Sequence, residues 1–461
     1  MATLAPVEES HQPLEHLLRG FTDHDAPDPA IINACVHCGL CLSSCPTYVE
    51  TGHEASSPRG RIYLIKMVSE GNLDIEDDVF TGQMSQCLNC RACEAVCPSG
   101  VQYGRLVEAA RDQIQQVEGD EQPAPVQVTR SVVFGLLFPH MSLFRTFSWM
   151  MRLYQRTGLQ TLARRSGILK LLKLQEQELL LPTMDEKFFV PRGNVLPATN
   201  GAAEQTVGIF AGCIQSTAFA DVTRATARVL AANGNDVCAF AGQGCCGALH
   251  AHAGDLDGAR ELARKNIDAF EASGAEALIV NAAGCGAQLK DYTHLLDHDP
   301  EYADRAVAFG AKVNDATEWL AKHPINTADM GVVNATVTYQ EPCHLCHAQR
   351  ISKQPRTLIN SIPGVKLVEM NESSLCCGSA GIYNITQPEM ATRLGERKVA
   401  NVEATNADIV ISANPGCMIQ VGGILRQHGS DMEVAHIMSL MDRAYEAGSR
   451  QRAVGSASEH S

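Results

Sequence analysis

Hydrophobic residues follow two rhythms along this chain. In the C-terminal half, four short apolar runs each lead toward a cysteine: VGIF at 207–210, ALIV at 277–280, ATVTY at 335–339 and DIVI at 408–411. Short runs rich in β-branched residues predict buried strands, so the cysteines should lie at strand ends. Between the runs lie helix-like stretches that close on Gly or Asn, at 220–234, 257–274 and 388–406. Strand followed by helix, repeated, predicts α/β units with parallel strands. Nearer the N-terminus, Ile62, Leu64, Ile65 and Val68 follow Pro58 at helical spacing and predict a helix there.

The two α/β units are copies of one pattern. Laid side by side, 207–300 and 335–430 carry cysteines in the same order: Cys213, Cys245, Cys246 and Cys285 in unit one, and Cys343, Cys376, Cys377 and Cys417 in unit two. The spacings are Cx31CCx38C and Cx32CCx39C, with a glycine after each Cys-Cys pair. Ligands gather at the carboxyl ends of strands in open α/β sheets, so four thiols per unit are expected to converge as additional cluster ligands. Lone Cys238 reads instead as a small buried hydrophobe. Unit two also contains CHLCH at 343–347, but Cys343 already has its match in Cys213, and haem attachment is not expected.

Eight further thiols change the picture of the N-terminal part. CVHCGLCLSSCP at 35–46 and CLNCRACEAVCP at 87–98 share the spacing CxxCxxCxxxCP. Three thiols two residues apart wrap one cluster, and the fourth, before Pro, reaches across to the other. This predicts Cys35, Cys38, Cys41 and Cys97 on one [4Fe-4S] cluster and Cys87, Cys90, Cys93 and Cys45 on a second. Zinc ribbons use CxxC pairs at four-ligand sites and gain nothing from the third CxxC step, so two iron-sulfur clusters and an electron relay are the expectation. Arg59 and Arg61 in SPRGR are expected to be exposed at a helix start and receive no role.

Composition excludes several classes. The formal charge of −15 argues against nucleic-acid binding. The longest apolar run, SVVFGLLF at 131–138, is far too short to span a bilayer. The first thirty residues lack a basic start followed by an apolar run, so a reducing cytoplasmic setting is expected. No GxGxxG after a strand and no GxxxxGK[ST] occurs, so a flavin site is not expected in this chain. One stretch inverts the overall charge: 122–175 holds no Asp or Glu, yet contains Arg130, Arg145, Arg152, Arg156, Arg164, Arg165, Lys170 and Lys173 among many aromatic and aliphatic residues. Such helices either pack inward as connectors or lie on membranes and acidic partners.

The expected architecture is multidomain. A mainly helical ferredoxin-like domain with two [4Fe-4S] clusters precedes two α/β pseudo-repeats of the Cys-Cys-Gly type. The boundaries are an N-terminal extension at 1–30, the dicluster domain at 31–120, a basic apolar connector at 121–200, unit one at 201–330, unit two at 331–445 and a flexible tail at 446–461.

The ferredoxin runs followed by two Cys-Cys-Gly units, with SSPRGRI, NAAGCGAQ and EPCHLCHAQR, resemble the iron-sulfur subunits of glycolate oxidase. Related units occur in heterodisulfide reductase, anaerobic glycerol-3-phosphate dehydrogenase and lactate-utilisation subunits. The resemblance implies a complex in which flavin-containing subunits oxidise glycolate to glyoxylate and this chain passes electrons toward quinone. It also implies a peripheral position on the inner face of the cytoplasmic membrane. In heterodisulfide reductase the unit closes with CxxC and five cysteines hold fused clusters. Gln288 and Gln420 stand at that last position here, which leaves open a further cluster in each unit or one shared between them.

Overall fold

In a computed structural model, residues 20–119, 122–171, 178, 180–199, 201 and 203–458 are described. Lys173 and most of the expected N-terminal extension lie outside them.

The ferredoxin-type domain is assembled from short capped helices. Ser57 Oγ accepts from the Gly60 amide and Pro58 occupies the first turn, which starts the helix Pro58–Ser69. Asp77 does the same for Asp78–Gln86 by accepting from the Val79 and Phe80 amides. Ile62, Ile65 and Val68 face Phe80, Met84 and the Leu106, Val107 and Ala110 stripe of the helix Tyr103–Glu118. Each such side chain contributes about 1.5–3 kcal/mol when fully buried. Arg61 lies on the same buried face at 1% exposure, which corrects the expectation of an exposed arginine. Its spacing to Ile65 and Val68 places it inside the apolar stripe. Arg59 remains partly exposed and pairs with Glu54.

Unit one is built on five strands, β1 (Asn194–Leu196), β2 (Gln205–Phe210), β3 (Asn235–Ala239), β4 (Ala277–Val280) and β5 (Val313–Asp315), in the order β1-β3-β2-β4-β5. Unit two has β6 (Ala335–Tyr339), β7 (Val365–Val368), β8 (Ile409–Ser412) and β9 (Glu433–His436), in the order β7-β6-β8-β9. Apart from β1, which runs antiparallel along β3, the strands are parallel and the two orders coincide strand for strand. The duplication read from the cysteines is therefore also a duplication of topology.

The two sheets share one core in which Val207, Ile209, Ile279, Val337 and Ile411 join Met438 and Met441 of the helix Ile437–Ser458. That helix runs through most of the stretch expected as a tail. The ends of β4 and β8 are tied together by the Ala283 amide to the Ala413 carbonyl and the Gly284 amide to Asn414 Oδ1, both 3.1 Å. This brings the cysteine edges of the two units side by side.

The connector forms the helices Ala124–Arg130 and Met141–Arg156 around a π-helical turn Ser131–Leu137, followed by Leu159–Ser166. Phe134, Phe138 and Phe144 turn inward onto Cys213, Cys245 and Leu262. Its other face stays outside, with Leu143, Phe147, Trp149, Met150 and Leu153 exposed. No helix among the described residues is long and apolar enough to cross a membrane.

Candidate metal centres

The two ferredoxin runs fold alike because their backbones turn at the same places. His37 and Gly39 in the first run, and Asn89 and Arg91 in the second, all have positive φ, between 47° and 83°. These left-handed residues curl each CxxCxxC segment around a cavity, and Gly39 takes that conformation without strain. Arg91 does not, and it is held by ion pairing with Asp291 of unit one.

Cys35, Cys38, Cys41 and Cys97 line one cavity, with Arg59 at its wall and Cys93 at its edge. Cys45, Cys87, Cys90 and Cys93 line the next, together with Arg61, Arg91 and Tyr103. Cys38 in the first is exposed, whereas all four cysteines of the second are buried. Burial pushes the Cys90 and Cys93 thiols well above the ordinary value. Sulfur at the second cavity also receives polar contacts: Tyr103 Oη donates to Cys87 Sγ at 3.6 Å and the Asn89 amide at 3.4 Å. Arg61 donates to the Ser56 and Gln83 carbonyls at 2.8 Å. Burial works against its charge, yet Tyr103, Cys87 and Cys45 raise its proton affinity.

In the α/β units the eight matched thiols converge in two groups of four. Cys213 Sγ stands 4.0 Å from Cys245 Sγ, and Cys246 Sγ 3.2 Å from Cys285 Sγ. In unit two, Cys376 contacts Cys343 and Cys377, and Cys377 contacts Cys417. Neighbouring sulfurs, together with burial, push Cys213, Cys246, Cys376 and Cys417 upward, while contacts from those sulfurs hold Cys245 and Cys377 downward. Such sets carry thiolate charge only beside a compensating cation, so their chemistry fits metal. Among the described residues, no three cysteine sulfurs lie within 4.8 Å of one another. Four thiolates about 2.3 Å from a single zinc would stand about 3.8 Å apart. Two sulfur pairs of unit one approach that spacing, and neither is joined by a third sulfur.

The four groups are not equally placed. Leu88, Cys90 and Ala92 share a buried cluster with Cys376, Tyr383 and Met390, with Cys343 packed against it. Cys343 is among the neighbours that push the Cys90 thiol upward. The second ferredoxin cavity thus abuts unit two, while unit one lies beneath the connector's phenylalanines.

His250, His252, His344 and His347, near the thiols in sequence, sit in contacts between elements. His250 Nε2 meets the Phe134 carbonyl at 3.1 Å, His252 Nδ1 the Glu108 carboxylate at 2.9 Å, His344 Nε2 the Asn89 carbonyl at 2.8 Å and His347 Nε2 the Ser374 carbonyl at 3.0 Å. Glu108, Asn89, Arg61 and Lys398 were missed. Lys398 is fully buried on the helix Pro388–Glu403, where burial lowers its proton affinity and the Cys377, Cys376 and Cys417 sulfurs raise it. A cation aligned with an apolar stripe, as in Leu394-Lys398-Val402, is the signal that would have found it. Gln288 and Gln420 are both buried, and the Gln420 amide donates to the Ala391 carbonyl at 3.3 Å.

Comparison with known proteins places names beside this geometry. Residues 31–101 match the 4Fe-4S dicluster domain, 125–181 the linker region of the glycolate oxidase iron-sulfur subunit, and 207–290 and 337–422 the cysteine-rich CCG domain. The chain is 42% identical over 414 residues, 88% of this chain and 92% of the other, to a probable glycolate oxidase iron-sulfur subunit of Bacillus subtilis. It is 32% identical over 421 residues, 90% of this chain and 95% of the other, to the glycolate oxidase iron-sulfur subunit of Escherichia coli. One of the subunits of fumarate reductase (CoM/CoB) from Methanothermobacter marburgensis is 29% identical over 91% of this chain and 74% of its own length.

Proposed function

The chain belongs to the family of glycolate oxidase iron-sulfur subunits, and from that premise we propose that it is the electron-transfer subunit of a glycolate dehydrogenase complex. Electrons come from a flavin subunit that oxidises glycolate to glyoxylate, and leave toward quinone. The observation that carries this reading is the succession of thiol groups from the exposed Cys38, through the buried second cavity, to the unit-two site against Cys90.

Cys35, Cys38, Cys41 and Cys97 would hold one [4Fe-4S] cluster, Cys45, Cys87, Cys90 and Cys93 a second, and the unit-one and unit-two cysteines further iron-sulfur clusters. Such clusters, when bound, exchange single electrons with little movement of the protein. The chain's own residues set the conditions. Burial excludes water from the second cavity, Arg61 offsets negative charge there, and donors such as Tyr103 Oη and Asn414 Nδ2, 3.5 Å from Cys417 Sγ, favour the more negative state. Val36 and Leu40, apolar and exposed, flank Cys38 and suit the docking of a flavin subunit. The buried Gln288 and Gln420, in place of a closing thiol, weigh against a five-cysteine heterodisulfide reductase site.

The connector supports a cytoplasmic protein held peripherally at the inner face of the membrane. On the helix Met141–Arg156, Leu143, Phe147, Met150 and Leu153 share an outward arc bordered by Arg145, Arg152 and Arg156, while Phe144 and Ser148 face inward.

The deciding experiment is anaerobic purification together with the flavin subunits, with iron and sulfide analysis and spectra recorded on adding glycolate. More than about eight irons per chain, reduced by glycolate, is the expected result; two cubanes alone account for about eight. Colourless material that binds zinc, or clusters that never change state during turnover, would end the proposal.

A further inference from the structure

The two Cys-Cys-Gly units are matched so closely that their differences carry information. The helix Leu256–Glu271 in unit one and Pro388–Glu403 in unit two run in the same register. A Cβ on Gly247 would meet Ala259, and a Cβ on Gly378 would meet Ala391. With that register fixed, Leu262 corresponds to Leu394, Phe270 to Val402, and Asn266 to Lys398, all buried.

Asn266 and Lys398 both reach from the helix into the loop that leads to the Cys-Cys pair. In unit one the Asn266 amide donates to the Cys245 carbonyl at 2.8 Å and to Tyr292 Oη at 3.0 Å, and its oxygen accepts from the Gly244 amide at 2.8 Å. A neutral side chain thus closes a neutral network. In unit two Ile424 stands where unit one has Tyr292, and Lys398 Nζ donates to the carbonyls of Glu372 and Ser373.

A lysine with no exposed surface is rare without a paired anion, because removing an ammonium from water is costly. The nearby carboxylate of Glu372 is taken up by Arg397, with Nε 2.8 Å from Oε2, and by Asn401 at 3.1 Å. Lys398 itself bonds to the Glu372 and Ser373 backbone carbonyls, not to the Glu372 carboxylate. Nζ thus sits at the loop that carries Cys376 and Cys377, and the Cys377, Cys376 and Cys417 sulfurs, together with Glu372, favour its charged form.

We infer that Lys398 is a positioning residue that acts as the built-in counter-charge of the unit-two sulfur site and gives that site a higher reduction potential than its unit-one twin. The inference rests on the proposal that the unit-two thiols hold an iron-sulfur cluster. A cluster gains one negative charge when it takes an electron, and a fixed ammonium beside its sulfurs stabilises that form. Asn266 offers unit one no such charge. Electrons crossing from the second ferredoxin cavity, which abuts unit two at Cys90 and Cys343, therefore meet the more favourable of the two sites first.

The test is a redox titration, followed by electron paramagnetic resonance, of the anaerobically purified complex carrying Lys398→Met, Lys398→Arg or Asn266→Met, with iron counted in each. Lys398→Met should shift one cluster's equilibrium at least tenfold toward the oxidised form, about 59 mV for a one-electron couple. The ferredoxin signals should not move, and Lys398→Arg and Asn266→Met should keep the wild-type midpoints. Loss of unit-two iron in Lys398→Met but not in Lys398→Arg also supports the counter-charge. Full iron with unchanged midpoints in Lys398→Met overturns the inference, as does equal iron loss in Met and Arg variants, which marks a packing role. Wild-type complex with only the ferredoxin irons removes the cluster proposal for unit two, and the inference with it. The iron count separates that failure from the others.

Discussion

The Nε2 atom of His344 lies 2.8 Å from the carbonyl oxygen of Asn89, so a single hydrogen bond links the chain neighbours of Cys90 and Cys343. A carbonyl only accepts, so Nε2 carries the proton. Burial, with His252 and Arg91 nearby, brings the ring's pKa down to about 3, and the neutral form therefore persists at all working pH. Replacing His344 by Phe keeps an aromatic edge against His252 but leaves the Asn89 carbonyl unpaired, at about 1–3 kcal/mol. Amides at 86–96 and 343–349 should exchange hydrogen faster in this variant while its iron content stays at the wild-type value. Unchanged protection would mean that the bond does not hold the interface.

The contact of the ferredoxin-type domain with unit one should weaken in acid. Burial alone would raise the Glu108 carboxyl, but its bond to His252, the charge of Arg91 and the Asn89 amide hold it down at about 2. A carboxylate depressed in the folded state contributes stability that is complete above its unfolded pKa, near 4.5, and is lost as pH falls toward 2. Over that window the loss reaches about 3 kcal/mol at roughly 1.4 kcal/mol per unit. Denaturation midpoints at pH 5, 4 and 3 should fall more steeply for the wild type than for Glu108→Gln. Parallel slopes would refute the assignment.

Arg61→Met should destabilise the ferredoxin-type domain by about 2–4 kcal/mol, because the Ser56 and Gln83 carbonyls lose buried donors. The loss should appear as a lower thermal midpoint and as faster bleaching of the cluster absorbance in air. An exposed arginine would produce neither effect.

Asp315 offers the opposite sign. It is fully buried, and burial raises its carboxyl to about 6 even as Thr317 bonds to it. Stability is therefore fullest below the ordinary carboxylate range and declines as pH rises through about 6. Asp315→Asn keeps an acceptor for the Thr317 amide, 2.8 Å away, and removes the buried charge. At pH 7.5 it should raise the thermal midpoint, by about 2–4 °C for each kcal/mol regained. A lowered midpoint would show that the carboxylate is compensated.

The connector's outward face gives a separable result. Phe147→Ser, Trp149→Ser and Leu153→Ser together should abolish sedimentation with vesicles containing anionic lipid, leaving iron content and inward packing at Phe144 intact. Arg152 and Arg156 are partly engaged by Glu186, at 3.7 and 3.0 Å, so changing arginines alone should have a smaller effect. If the triple variant loses its flavin partner instead and still binds vesicles, the face is a subunit interface.

Local pattern determined much of this protein. Thiol spacing wrote the two ferredoxin loops, and the repeat of strand, Cys-Cys-Gly and strand wrote two α/β units, because strand and helix periods and the reach of a CxxC turn are short-range properties of the chain. Sequence could not rank the cations. Arg61 and Arg59 sit two residues apart, and only packing of Pro58–Ser69 against its neighbours buries one and leaves the other outside. Nor could it show that Cys90 faces unit two rather than unit one, or that Phe134, Phe138 and Phe144 cover Cys213. Those relations join residues about seventy to nearly three hundred positions apart, or fix which face of a helix is buried. Packing within each domain and between domains decides them, and packing inside unit two sets Lys398 against the loop that carries Cys376 and Cys377.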